Sequence, residues 1–181
     1  MEKVLVAYCT RFGASEGVAE EIAKVVRDHG PAVDLVNLKE QKKVDVSQYD
    51  GFVVGSSIKI GRWTKEAKNF LKKNGERMRG KPLALFVCCG DAIEEEKKEE
   101  ARKKYVQVLI EDLNLEVTLF EVFPGIFDFS TGSRMGWLEK KMMKAATKDD
   151  PEFAAKVDTD KMNDFRDWDE IRAFALSFVQ S

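Results

Sequence analysis

The chain has 181 residues, of which 44% are hydrophobic and 34% are charged, a balance that suits one folded domain over residues 1–181. Its 30 basic and 32 acidic side chains give a net charge of −2, so we expect no nucleic-acid partner, which usually needs a strongly basic face. The chain has one histidine and three cysteines without C-x-x-C spacing, which excludes common metal motifs and predicts a reduced setting. It shows no signal-peptide pattern, so we expect a cytoplasmic protein.

The first third of the chain alternates between short apolar runs and an amphipathic segment. Residues 4–9 form an apolar run of β-formers, and residues 15–29 carry apolar side chains at helical spacing before a Gly-Pro stop. A second strand is predicted over residues 32–38 and a third over residues 51–55. The stretch between them, residues 39–48, is too short and polar to predict a helix.

The remaining elements continue the alternation. Thr64 is a plausible cap for a helix with an apolar face, and residues 82–89 form the most apolar predicted strand, which places it centrally. Residues 94–113 predict a helix, residues 115–123 a fifth strand, and residues 168–179 a final helix after a long tail without strands. Apolar strands that alternate with helices indicate a parallel sheet covered on both faces.

The first predicted strand ends in the loop Thr10-Arg11-Phe12-Gly13-Ala14-Ser15, directly before a helix. The loop matches neither the G-x-G-x-x-G dinucleotide fingerprint nor the P-loop. Its hydroxyls, backbone N–H groups and positive helix end together suit a phosphate. An ordinary turn in which Ser15 caps the helix explains the same residues equally well.

Two further loops follow predicted strands and contain glycine. The third strand leads into Gly55-Ser56-Ser57-Ile58-Lys59-Ile60-Gly61-Arg62-Trp63, and the fourth ends in Cys88-Cys89-Gly90-Asp91. Ligands of open parallel sheets bind outside the carboxyl ends of the strands. Three such loops at one edge therefore predict a ligand site better than any one of them alone.

These loops resemble those of a known family. The loop from Thr10 to Ser15 resembles the flavodoxin phosphate loop, and Tyr49-Asp50 with the segment from Gly55 to Gly61 resembles the flavodoxin-domain family that includes menaquinone-dependent protoporphyrinogen IX dehydrogenases. The C-terminal Asp167-Trp168-Asp169 and the chain length are similar to that group as well. The resemblance implies a flavodoxin-like three-layer α/β sandwich with a five-stranded parallel sheet in the order 2-1-3-4-5, and FMN as the cofactor.

The resemblance also assigns cofactor contacts by position, with no catalytic residue and no metal. The residues that would hold the FMN phosphate are Thr10, Arg11, Phe12, Gly13, Ala14 and Ser15. Those that would pass one face of the ring are Ser57, Ile58, Lys59, Gly61 and Trp63. Its pyrimidine edge would meet the backbone of Cys89, Gly90 and Asp91. The sequence departs from the family at Phe12, which replaces a second hydroxyl.

Three functions stay open at this point. The leading interpretation is an FMN redox protein that carries electrons between protein partners. The first alternative is an FMN-dependent protoporphyrinogen IX or quinone-linked dehydrogenase, and the second is a flavin-free binding module on the same fold. Trp63 either stacks on the flavin or covers the start of a helix, and the paired cysteines either act in redox chemistry or pack in the core.

Residues 134–148 mix apolar side chains with lysines, including Lys148. A basic amphipathic helix of this kind can make a peripheral membrane contact or meet a quinone-bearing partner. The favoured alternative is a helix that packs on the sheet edge and keeps its lysines in water.

Overall fold

A mainly parallel sheet forms the centre of the structure. The structure is a computed structural model that describes residues 1–149 and 151–181, without the side chains of residues 146, 148, 149 and 152. Its strands are β1 (Lys3–Cys9), β2 (Ala32–Asn37), β3 (Gly51–Lys59), β4 (Arg62–Trp63), β5 (Leu83–Cys89) and β6 (Leu119–Pro124). The order is β2-β1-β3-β5-β6, with β4 paired only to β3. The five main strands therefore follow the predicted order, and their numbers differ only because the short β4 was not predicted.

Helices cover both faces of this sheet, as the alternating pattern predicts. They are α1 (Ala14–Asp28), α2 (Lys65–Met78), α3 (Glu95–Ala101), α4 (Val108–Leu113), α5 (Trp137–Asp149), α6 (Pro151–Lys156) and α7 (Trp168–Val179). A π-helical segment, Arg102–Gln107, joins α3 to α4, so the predicted helix over residues 94–113 is nearly continuous. Helices α1 and α7 pack on one face, and α2 packs with the α3–α4 helix on the other.

The strand register brings the predicted loops together at one edge. Cys9 at the end of β1 is paired with Ser56 on β3, and Ser57 is paired with Cys88 on β5. Because all three strands are parallel, the loops that follow them leave the sheet side by side. The polar stretch after β2 contains a hydrogen-bonded turn at its start and one short 3-10 helix, Val46–Gln48, in place of an α-helix, which agrees with its composition.

An insertion over residues 125–166 lies between β6 and α7, where the sequence predicted a tail without strands. That prediction was wrong, since β7 (Ile126–Asp128) pairs antiparallel with β8 (Met162–Asp164). Strands of three residues are too short to show an alternating pattern. The insertion has a small apolar core that also contacts Ile93 after β5, so it sits at the carboxyl edge of the sheet.

Within residues 1–149 and 151–181, no helix combines the length and the apolar character needed to cross a bilayer. The side chain of Lys148, part of the predicted basic stretch, lies outside the described residues.

Candidate functional site

The loop between β1 and α1 closes on itself through Thr10 and Gly13. The Gly13 N–H donates to Thr10 Oγ1 at 2.9 Å, and Gly13 has a φ of 99°, in the left-handed region that glycine adopts at little cost. Helix α1 then begins at Ala14. The N–H groups of its first turn have no partner within the helix, so they face the loop as donors with the positive helix end behind them.

Ser57, beyond the end of the predicted third strand, ties this loop to β3. Its Oγ accepts a hydrogen bond from the Arg11 N–H at 3.1 Å and lies 3.1 Å from Ser15 Oγ. Ser15, Ser57 and Thr10 are all buried. The structure thus brings three predicted hydroxyls to the start of α1, an arrangement whose donors and positive potential fit a phosphate.

Basic side chains that sequence reasoning missed surround the same loop. Lys39 Nζ donates to the carbonyl oxygen of Thr10, and Arg166 donates to that of Ala14 at 3.4 Å. Arg134, from the insertion, pairs with Glu16 in the first turn of α1. Lys39 could have been found, because it follows the strand next to β1. The two arginines could not, since they lie more than a hundred positions away along the chain.

A hairpin between β3 and β4 forms the second predicted loop. Ile60 and Gly61 make its turn with φ values of 50° and 67°, both left-handed, as a type I′ hairpin turn requires. Ile60 is 86% exposed, while Ile58 is half-buried. The ammonium group of Lys59 lies 5.6 Å from the centroid of the Phe12 ring, so the hairpin contacts the loop between β1 and α1.

Trp63 occupies the core under this hairpin. Its side chain is buried, and its Nε1–H donates to the carbonyl oxygen of Tyr105 at 2.7 Å. An indole held in this way has no free face for a ring ligand, which favours the packing alternative over stacking on flavin.

The third loop, after β5, contains Gly90 and Asp91. Tyr105 donates to Asp91 Oδ2 at 2.6 Å, and burial, followed by this hydrogen bond, raises the pKa of Tyr105. Phe127 of β7 closes over Gly90, because a β-carbon there would lie only 3.0 Å from its ring. The backbone at Gly90 therefore lies directly under the insertion.

The insertion contacts all three loops. Phe127 reaches Gly90, Arg134 pairs with Glu16, and Glu139 Oε1 accepts from Lys59 Nζ at 3.1 Å. The hydrogen bond from Lys59 lowers the pKa of Glu139. A ligand bound at this edge would therefore meet the sheet loops on one side and the insertion on another.

The three cysteines are free and buried in the strands. Burial raises the pKa of Cys88 to about 12 and that of Cys89 to about 12, and it also raises the pKa of Cys9. A thiol must ionise before it reacts as a nucleophile or a redox group. These surroundings favour the packing alternative for the cysteine pair.

We expect the native thiols to be nearly inert at pH 8. With a pKa of about 12, roughly one thiol in ten thousand is ionised at that pH, and the thiolate accumulates only as the pH approaches the pKa. Labelling with a chromogenic disulfide should take hours in buffer and seconds in guanidinium chloride, which exposes all three. Stoichiometric labelling of the folded chain within minutes would contradict this prediction.

Comparisons with known proteins agree with this architecture. The flavodoxin domain family profile matches residues 5–155. The protoporphyrinogen IX dehydrogenase [quinone] of Escherichia coli (strain K12) is 24% identical over 173 residues, which cover 96% of this chain and 92% of the relative. A protein of the same name from Leishmania major is 22% identical over 178 residues, covering 98% of this chain and 74% of the relative.

Among solved structures, oxidised Flavodoxin 1 from Bacillus cereus superposes with a TM-score of 0.53 at 20% identity. The match covers 87% of this chain and all of that flavodoxin, and identity at this level shows the fold alone. Because the family profile extends over most of the chain, this protein belongs to the flavodoxin-domain family.

Proposed function

We propose that this protein binds FMN at the carboxyl edge of its sheet and is an FMN-dependent redox protein. The observation that carries the proposal is the meeting of the Thr10, Ser15 and Ser57 hydroxyls beside the first turn of α1. FMN ends in a phosphate monoester, which free N–H groups and a helix N-terminus stabilise. Bound FMN supplies the redox chemistry, and the chain holds and orients it.

The other two loops would receive the ring. The hairpin residues Ile58, Lys59 and Gly61 lie on the β3 side, and the backbone of Cys89 to Asp91 lies on the β5 side of the same edge. Phe12 adds an apolar wall next to Lys59 in place of the missing hydroxyl. Trp63 is left out of this contact set because the core already encloses it.

Dehydrogenation linked to a quinone is the function that we favour for this cofactor. The Escherichia coli and Leishmania major relatives named for this reaction match nearly the whole chain, insertion included. The insertion also supports it, since it borders all three loops and gives a small substrate a wall to bind against. Electron transfer between protein partners is the second candidate, and the exposed hairpin tip at Ile60 favours it.

The exposed face of α5 supports contact with a membrane that carries such a quinone. Trp137 is 76% exposed, and Leu138 and Met142 are also in water. Lys140 donates to the carbonyl oxygen of Ser130, and Lys144 pairs with Asp160. Lys141 is exposed and the Lys144 side chain is 39% exposed, so lysines and apolar side chains share the outer surface of α5. Trp and Leu beside a basic residue suit an anionic lipid surface.

Binding of FMN is the first test. The purified chain should turn yellow and quench flavin fluorescence on titration with FMN, and Ser57→Ala should weaken binding about fivefold, the effect of one hydrogen bond of about 1 kcal/mol. Ser177→Ala, which removes a hydroxyl on the surface of α7, should bind like the wild type. A folded chain that leaves FMN spectra unchanged would instead support the flavin-free binding module.

Turnover separates the two redox functions. With FMN bound and oxygen excluded, the dehydrogenase should convert protoporphyrinogen IX to the porphyrin while a menaquinone analogue is reduced, with three quinols formed for each porphyrin because the porphyrinogen loses six hydrogens and each quinone accepts two. The quinone without the porphyrinogen is the control. Absence of turnover from a chain that reduces a protein acceptor would favour the electron carrier.

Membrane contact has its own test. The chain should cosediment with vesicles of anionic phospholipid, and Trp137→Glu should reduce the bound fraction severalfold, because a charge replaces the most exposed large apolar side chain of α5. Val108→Glu, at a half-exposed position of α4, serves as the control and should bind like the wild type. Equal, negligible sedimentation of all three would remove the membrane from the proposal.

A further inference from the structure

Arg134 lies against the open side of the loop between β1 and α1. A β-carbon on Gly13 would be 3.4 Å from an Nη atom of Arg134 and 3.8 Å from its Cδ. The guanidinium group therefore covers Gly13, the residue directly before the start of α1, beside the N–H groups of the first turn. Arg134 side-chain atoms are 61% exposed, so the group can be reached from solvent.

Glu16 makes the first turn of α1 electrostatically unfavourable for an anion. Its carboxylate sits in the first turn of α1, where it accepts from the Tyr8 hydroxyl at 3.1 Å and pairs with Arg134. A phosphate monoester at the same turn carries close to two negative charges near neutral pH and would be repelled by that carboxylate. Arg134 pairs with that carboxylate and lies 3.4 Å from the position of a Gly13 β-carbon, so it is placed to offset the repulsion.

We propose that Arg134 is a phosphate ligand that the insertion supplies to the FMN site, and that it sets the preference for FMN over riboflavin. This inference rests on the proposed function. Within the part of the chain that the structure describes, the guanidinium group bonds Glu16 through one nitrogen, and its other N–H donors are available to phosphate oxygens in the fork geometry that suits them. Arg134 then contributes a direct bond and not merely the neutralisation of Glu16.

The surroundings of Arg134 let its side chain change partner without moving the backbone. Ser133 donates to the carbonyl oxygen of Asp128 at 2.6 Å, and the N–H of buried Met135 donates to Ser133 Oγ at 3.0 Å. These bonds hold the residues on both sides. The proposal needs one rearrangement, which is a rotation of the exposed guanidinium group from Glu16 toward the N-terminal end of α1.

The experiment compares affinities for FMN and riboflavin by quenching of flavin fluorescence. Arg134→Gln should weaken FMN binding about tenfold to a hundredfold and change riboflavin binding by less than about twofold, since riboflavin lacks the phosphate. The FMN affinity of the wild type should also fall more steeply with added salt than that of the variant. Arg172→Gln is the matched control, because Arg172 pairs with Glu21 farther along the same helix.

A double variant distinguishes a direct bond from charge neutralisation. If Arg134 binds the phosphate, Glu16→Gln alone should strengthen FMN binding, and the added Arg134→Gln should weaken it again by the same large factor. Recovery of wild-type affinity in the double variant would overturn the proposal, as would equal losses for FMN and riboflavin. A wild-type chain that binds neither flavin would refute the proposed function itself, whereas tight FMN binding unaffected by Arg134→Gln would refute this inference alone.

Discussion

The hydrogen bonds of the Ser57 hydroxyl fix the relation between the two loops on which the site depends. The Ser57 Oγ accepts a hydrogen bond from the Arg11 N–H, and it also shares a hydrogen bond with Ser15 Oγ in the first turn of α1. These bonds exist because β1 and β3 are parallel neighbours with Cys9 opposite Ser56, which places the next residue of β3 beside the loop. A shift of one residue in the register would turn Ser57 to the other face of the sheet.

Several basic side chains gather at this edge, although Arg166 is paired with Asp164 and Arg134 with Glu16. Lys39 and Arg166 donate to carbonyl oxygens of the loop, and Arg134 faces Glu16. The carbonyl bonds hold the backbone in place and leave the N–H groups of α1 free to act as donors. The net charge of −2 therefore says little about ligand binding here, because a few side chains within a Debye length of the helix end dominate its potential.

Much of the fold could be predicted from periodicity, because the apolar strands and the amphipathic helices are long enough to show their repeats. The strands β4, β7 and β8 were not predicted, because a strand of two or three residues is too short to show an alternating pattern. The β1–α1 loop and Ser57 could be found from their place at strand ends. Arg134 could not, since its contact with Glu16 joins two positions 118 residues apart, and no local pattern reports such a pair. Trp63 was ambiguous because an indole after a strand suits a core and a ligand face equally.

In the proposed function, the loops of the sheet and the insertion would have different tasks. The sheet loops supply what any FMN needs, namely donors for a phosphate and backbone beside a ring. If FMN binds at this edge as we propose, the open side of its ring would be bordered by the insertion, through Phe127, Arg134 and Glu139. The same segment carries the outward apolar face of α5. Under the proposal, one short piece of chain would therefore serve both cofactor contact and partner contact, so a change in the insertion would alter the partner while the strands and their register stay the same.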